Sequence, residues 1–344
     1  MRRTLRVRGP RAAAMATLAC ALTVTAQHPA HAEPRTLPEV RAELKDLYHD
    51  AEVATDKYNA ADEKVKKETK HLKSLKSQVE AADKKLAKLT SAAGAAARAQ
   101  YRNGGVPVVV QIAAASDPAH VLDNTSLAHQ AQQSTLSVVK ALTKTREQRS
   151  ADADDATEEL GRLKDDRRAK DKHRKTVKDH ISSAQLLEAS LAEKQRRELD
   201  ALDDQESKDN QKKWEDSGVL DHVGTDATAA GKKAIAYATA QLGKPYVWGA
   251  VGPGSFDCSG LTSQAWLAAG ESIPRTSQEQ WRQLTHVPVD KMRPGDLIIY
   301  FSDASHVALY VGDGQIIEAP RPGRWVTVAP AGSMEILGAV RPDA

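Results

Sequence analysis

Apolar residues recur at alternating spacings of three and four along the first third of the chain. Leu37, Val40, Leu44, Leu47, Ala51, Ala54, Tyr58, Ala61 and Val65 carry the pattern into Leu72, Leu75, Val79, Ala82, Leu86 and Leu89; only Glu68 interrupts it. The positions between are mostly Lys, Glu, Asp and Ala, so the repeat predicts a long amphipathic helix in a coiled coil. Asn103-Gly104-Gly105 is the expected stop, because Gly and Asn accept the left-handed conformation of a helix C-terminus. The apolar run Val106–Ile112 follows, and Asp117-Pro118 reads as an N-cap with proline at the first helical position. A second helix is expected from there towards Leu202, with its seam at Val138, Leu142, Leu160, Leu163, Val177, Ile181, Ala184, Leu187 and Leu191. The nearly all-charged run Lys164–Lys178 is expected to be a solvated face. Two such helices predict an antiparallel coiled-coil hairpin over residues 37–205. Val106–Ile112 would lie near its tip, as an apolar surface for protein contact.

Residues 206–228 lack a sustained apolar period and read as a linker. Past them the pattern changes. Helix is expected from Ala229 to Leu242, and again from Leu261 to Ala269 after a segment, Pro245–Gly254, that cannot be regular helix. Leu297–Phe301, His306–Val311, Gln315–Ala319, Trp325–Val328 and Ile336–Val340 read as strands, and Gly312-Asp313-Gly314 as a tight hairpin. All five tryptophans lie from Trp214 onward, and nine of the fifteen prolines from Pro245 onward. Residues 229–344 can therefore close a core of their own. A helical lobe followed by an antiparallel sheet is an α+β layout.

Composition changes this picture at the N-terminus. Arg2, Arg3, Arg6, Arg8 and Arg11 precede an apolar run, and Ala30-His31-Ala32 gives a small-residue cleavage pattern, so residues 1–32 are expected to be a secretory signal peptide. Arg2-Arg3 leaves a twin-arginine route open, and Cys20 a lipoprotein route. Without these residues 44 basic side chains face 46 acidic ones, and the net charge of +3 becomes −2. Neither nucleic acid nor anionic lipid is then implied as a partner. No later segment offers a transmembrane run, so the mature chain is expected to be secreted, extracellular or wall-associated. Cys258 would be its single cysteine, and so buried, intermolecular or reactive.

Cys258 is expected in the first turn of a helix, where free N–H groups and the helix dipole lower a thiol's pKa and favour an exposed thiolate. A thiolate nucleophile needs a base, and the base an orienting group. His306 opens a strand after a turn, whereas His286 has no comparable support. Pairing across the 312–314 turn makes residues summing to about 626 neighbours, which places Glu318 near Ala308 and on the same face as His306. The geometry permits a Cys258–His306–Glu318 relay. The Cys258 N–H is a natural oxyanion donor. No His/Cys/Asp cluster has metal-ligand spacing and no glycine-rich phosphate loop precedes a helix, so neither a metal nor another cofactor is implied.

Residues from about Gly231 to Arg341 resemble the NlpC family of papain-like cysteine peptidases. The resemblance rests on Gly243–Gly249, Phe256-Asp257-Cys258-Ser259-Gly260-Leu261, Pro274–Gln278, Pro294–Leu297, His306–Tyr310 and Ile317-Glu318-Ala319. It implies a papain-like fold, Cys258 as nucleophile, His306 as base and Glu318 as the third residue, a position often held by histidine. It also suggests Tyr246 as a further oxyanion donor, or else a core tyrosine. Asp257 and Ser259 would bind the amino terminus of a stem peptide, and Arg275 would brace the fold. The substrate implied is peptidoglycan stem peptides, cut between D-glutamate and a diaminopimelate-type residue. Two other readings stay open: a coiled-coil adaptor or regulator whose peptidase domain is secondary or inactive, and an amidase or acyltransferase on the same fold. The long helices would dock to a membrane regulatory complex or cover the active site.

Overall fold

The computed structural model describes residues 35–102 and 121–344. The expected signal peptide, the Val106–Ile112 run and the Asp117-Pro118 cap lie outside the described residues.

Helices α1 (Leu37–Arg102) and α2 (Val121–Ser190) lie antiparallel. Cross-helix ion pairs fix the register, Lys64 Nζ to Asp166 at 2.7 Å and Arg149 Nε to Asp83 at 2.9 Å among them. The heptad positions close the seam. Val40 and Leu44 pack with Ala184 and Leu191, and further along Ala51 and Ala54 pack with Val177 and Ile181. Leu160, expected in the seam, is 38% exposed, and its neighbour Glu159 is buried in its stead.

The second helix does not run unbroken to Leu202. It stops at Ser190, where Leu191 turns into the seam, and α3 (Glu193–Glu215) starts afresh with the Ala192 N–H bonded to Gln195 Oε1 at 3.0 Å. The expected linker is therefore helical as far as Glu215. Its apolar period is weak because the helix buries little: Leu199 packs in the hairpin cluster and Trp214 against the sheet. Gln211 holds it there, accepting from the Gly332 N–H at 2.7 Å.

Helices α4 (Ala229–Thr239), α5 (Cys258–Ala269) and α6 (Ser277–Gln283) precede or flank one antiparallel six-stranded sheet. Its strands are β1 (Thr285–Val287), β2 (Leu297–Tyr300), β3 (His306–Gly312), β4 (Gln315–Glu318), β5 (Thr327–Pro330) and β6 (Ile336–Arg341), in the order β1-β6-β2-β3-β4-β5. β1 is the addition to the expected set; three residues are too few to show a period. α4 and α5 cover one face, where Trp266, Leu261, Ala234 and Phe256 meet Leu297, Ile299, Val307 and Leu309. Ile298, Tyr300, Ala308, Tyr310 and Ile316 form the core on the other face, closed by Trp214 and Met292. This is the α+β layout, a helical lobe on an antiparallel sheet, preceded by a long helical hairpin. Among the described residues no helix is long and apolar enough to cross a membrane.

Candidate active site

Asp257 caps α5 with extended backbone, its Oδ1 accepting from the Gly260 N–H at 2.7 Å. This puts Cys258 in the first helical turn, as the sequence suggests. The turn is clamped against the loop before it. The Asp257 N–H bonds to the Ala250 carbonyl at 3.1 Å, and a Cβ on Gly260 would lie 2.2 Å from that same oxygen. Only glycine fits there.

Asp257 is fully buried and its carboxylate is saturated. Arg275 donates to both oxygens, at 3.0 and 2.7 Å, and also to Ser259 Oγ at 3.0 Å. The Gly249 N–H adds a bond to Oδ2 at 2.9 Å. Asp257, Ser259 and Arg275 thus form one buried brace under the nucleophile turn. Tyr246 shares the buried cluster of Cys258, and burial together with the nearby Cys258 and carboxylate charges pushes its hydroxyl well above the usual range.

On the sheet, Leu309 pairs with Ile317 and Tyr310 with Ile316, the register expected from the hairpin. His306 and Glu318 consequently meet on one face, and Nε2 lies 2.7 Å from Glu318 Oε2. The other ring nitrogen, Nδ1, is buried and has no hydrogen-bond partner. Burial pulls His306 down, but the Glu52 charge and its interactions with Cys258 and Glu318 hold it well above its ordinary value. His286, on β1, instead stacks on Trp281 with ring centroids 3.8 Å apart.

One element of the site is absent from the sequence reading. His49, Glu52, Asp56 and Asn59 form a stripe along α1 at helical spacing, and its side chains meet residues around the cysteine. His49 Nε2 is 3.2 Å from Asp303 Oδ2, and Glu52 Oε1 is 3.7 Å from His306 Nδ1. Asp56 accepts from the Ser277 hydroxyl, and the Asn59 amide donates to Asp257 Oδ2 at 3.0 Å. Beside them Tyr58 meets Trp248 edge to face at 5.0 Å. Glu52, Asp56 and Asn59 are each less than a tenth exposed, and Cys258 is 4% exposed. The expectation of an exposed, acidified thiol is therefore corrected: burial pushes Cys258 up, against the pull of His306 in the other direction. A helix start acidifies a thiol only while water or a cation can reach it. Under α1 the His306 imidazole still pulls the thiol down, but the loss of water outweighs it.

The comparisons with known proteins fall on this part of the chain. The model of the NlpC/P60 family matches residues 243–334. A probable endopeptidase of Corynebacterium glutamicum (strain R) is 44% identical over 108 residues, which cover 30% of this chain and 51% of that protein. The probable endopeptidase p60 of Listeria monocytogenes is 47% identical over 91 residues, covering 26% and 19%. A crystal structure of the NlpC/p60 domain of the peptidoglycan hydrolase SagA is 36% identical, covers 32% of this chain and 97% of that one, and superposes with a TM-score of 0.31. The match thus spans about half of the first curated relative and less of the second. Cys258, His306 and Glu318 all fall inside the matched segment, and residues 243–334 are a domain of the NlpC/P60 family.

Proposed function

We propose that this protein is a secreted cysteine endopeptidase of peptidoglycan stem peptides, and that its own first helix holds it closed. The observation carrying the reading is the buried line Cys258–His306–Glu318, with the imidazole bonded to the carboxylate at 2.7 Å. The family and the names of the relatives support the substrate class. In the proposed reaction the Cys258 thiolate attacks the scissile carbonyl, and the oxyanion is met by the Cys258 N–H, with Tyr246 as a second donor. Protonated His306 gives its Nδ1 proton to the leaving amine as the C–N bond breaks, leaving a thioester. A water deprotonated at the same nitrogen then releases the acid and regenerates the thiol. Glu318 holds the ring in place and stabilises the imidazolium.

Mass spectrometry of muropeptides after digestion tests the bond. New amino termini on a diaminopimelate-type residue are expected. Products cut at the sugar–peptide amide, or peptides transferred to another acceptor, would replace this reading by the amidase or acyltransferase one.

The buried stripe favours covering of the site over simple recruitment as the hairpin's role, with displacement by a membrane complex as the release step. In the full chain Glu52→Ala/Asp56→Ala/Asn59→Ala removes three polar anchors worth about 1 kcal/mol each, so turnover is expected to rise by roughly 100-fold. Unchanged turnover would remove α1 as a cover.

A pH dependence follows. Burial pushes Glu52 and Asp56 up to about 7 while α1 is seated, with His306 and Arg321 opposing at Glu52, and Ser277 and Arg275 opposing at Asp56. The neighbouring carboxylates Glu318 and Asp257 reinforce the rise. Exposed carboxylates titrate near 4. Both carboxylates bind protons more tightly closed than open, so the closed form loses ground as pH rises from about 4 through 7. The turnover of the full chain, divided by that of the triple variant at each pH, is expected to climb between pH 5 and 8. A flat ratio would contradict it.

A further inference from the structure

The α1–α2 seam contains one feature that the peptidase reading does not use. Glu68 is the single break in the heptad pattern between Val65 and Leu72. Across the seam it faces Glu159 of α2, which is 1% exposed. His71 stands one turn further along α1. One donor atom from each of Glu68, His71 and Glu159 lies within 4.8 Å of the others, and His71 Nδ1 is 3.2 Å from Glu159 Oε1. That Oε1 is buried and accepts no hydrogen bond.

Two carboxylates facing each other across an apolar seam repel, and burial strengthens the repulsion unless positive charge enters between them. Of the protein's own cationic side chains only His71 reaches Oε1, and it supplies positive charge there only when protonated. Arg162 approaches the other oxygen, Oε2, at 3.6 Å, and also turns outward to Glu158. Lys64, on the same stretch of α1, is bonded to Asp166. A shared proton is one way to satisfy the pair, and Glu68 is indeed raised, first of all by hydrogen bonding with Glu159. A protonated His71 donating to Oε1 is another, and a metal ion would take the place of both protons while using all three side chains.

We infer that Glu68, His71 and Glu159 form a site for a divalent transition-metal ion of the Zn²⁺ class, clamping α1 to α2. One imidazole nitrogen with two carboxylate oxygens suits such an ion better than Mg²⁺ or Ca²⁺, which prefer oxygen alone. Ligands about 2.0–2.2 Å from zinc stand roughly 3.3 Å apart, close to the His71–Glu159 separation. Glu68 is half-buried and His71 exposed, so both can swing the remaining distance while Glu159 stays fixed. The exposed side leaves room for water to complete the coordination. Sequence spacing hides the site because its third ligand comes from a helix far along the chain. The inference concerns the hairpin alone and stands independently of the peptidase reading.

The test uses the chain from Glu33 onward carrying Cys258→Ala, which removes its competing thiol, stripped with a chelator and titrated with ZnCl₂ in a calorimeter. One equivalent is expected to bind, with a rise in the melting temperature. His71→Ala, at an exposed position that the fold tolerates, and Glu159→Gln are each expected to weaken binding at least tenfold. Glu68→Leu is expected to abolish binding and, by restoring the seam, to raise the melting temperature of the metal-free protein. Zinc binding equal in the parent and the His71→Ala variant would overturn the site, as would no binding by the parent. The second result would leave a shared proton between the carboxylates.

Discussion

Replacing Cys258 by alanine is expected to lower peptide-bond cleavage by about four orders of magnitude or more, the scale seen when a member of a catalytic triad is removed. The loss is chemical. His306 and Glu318 keep their 2.7 Å contact, and the Asp257 cap is untouched. What remains is binding and oxyanion stabilisation without a nucleophile. The comparison is cleanest in the Glu52→Ala/Asp56→Ala/Asn59→Ala background, where the cover does not limit the rate, with released muropeptides counted by mass spectrometry. An alanine variant within tenfold of its parent would take the nucleophile away from Cys258.

Asp257→Ala is expected to be the most destabilising single change in the domain, at about 3–5 kcal/mol, because it leaves the Arg275 guanidinium buried without its partner. Asp257 is fully buried and Arg275 is 13% exposed. The same change strips the α5 cap, normally worth about 1 kcal/mol, and leaves the Asn59 amide without an acceptor. Urea denaturation followed by circular dichroism reads the shift. Arg275→Met on top of Asp257→Ala is expected to recover part of it, since removing both charges is far cheaper than removing one. A loss below about 1 kcal/mol would mean the brace is dispensable.

The catalytic side of this site is legible in the sequence because it is built by local rules. A glycine turn between two strands fixes the register that brings His306 to Glu318, and an aspartate before an apolar stretch fixes the helix start at Cys258. The cover is not legible by those rules. Along α1 the apolar positions identify the face turned to α2, and every polar residue off that face reads as solvated. His49, Glu52, Asp56 and Asn59 differ from their charged neighbours in meeting polar partners of the domain that carries the cysteine, more than 190 residues away. α3 escapes for the opposite reason: with little to bury beyond Leu199 and Trp214, a real helix shows no period. Asp257 and Ser259, implied by the resemblance for substrate binding, are both engaged by Arg275, a partner that no local pattern in the sequence indicates.

The break at Leu191-Ala192 and the docking of α3 on the sheet have a further consequence. α3 is pinned to the domain by Trp214 and Gln211, and the hairpin begins immediately beyond it. In the proposed closed form the stripe on α1 is a tethered competitor, held beside the site at an effective concentration that short linkages place in the millimolar range or above. Raising free substrate is a poor way to displace such an occupant. Force or binding applied to the far end of the hairpin, with the helical discontinuity as fulcrum, acts on it with a long lever. Activation would then follow where the hairpin is grasped rather than how much wall polymer is nearby.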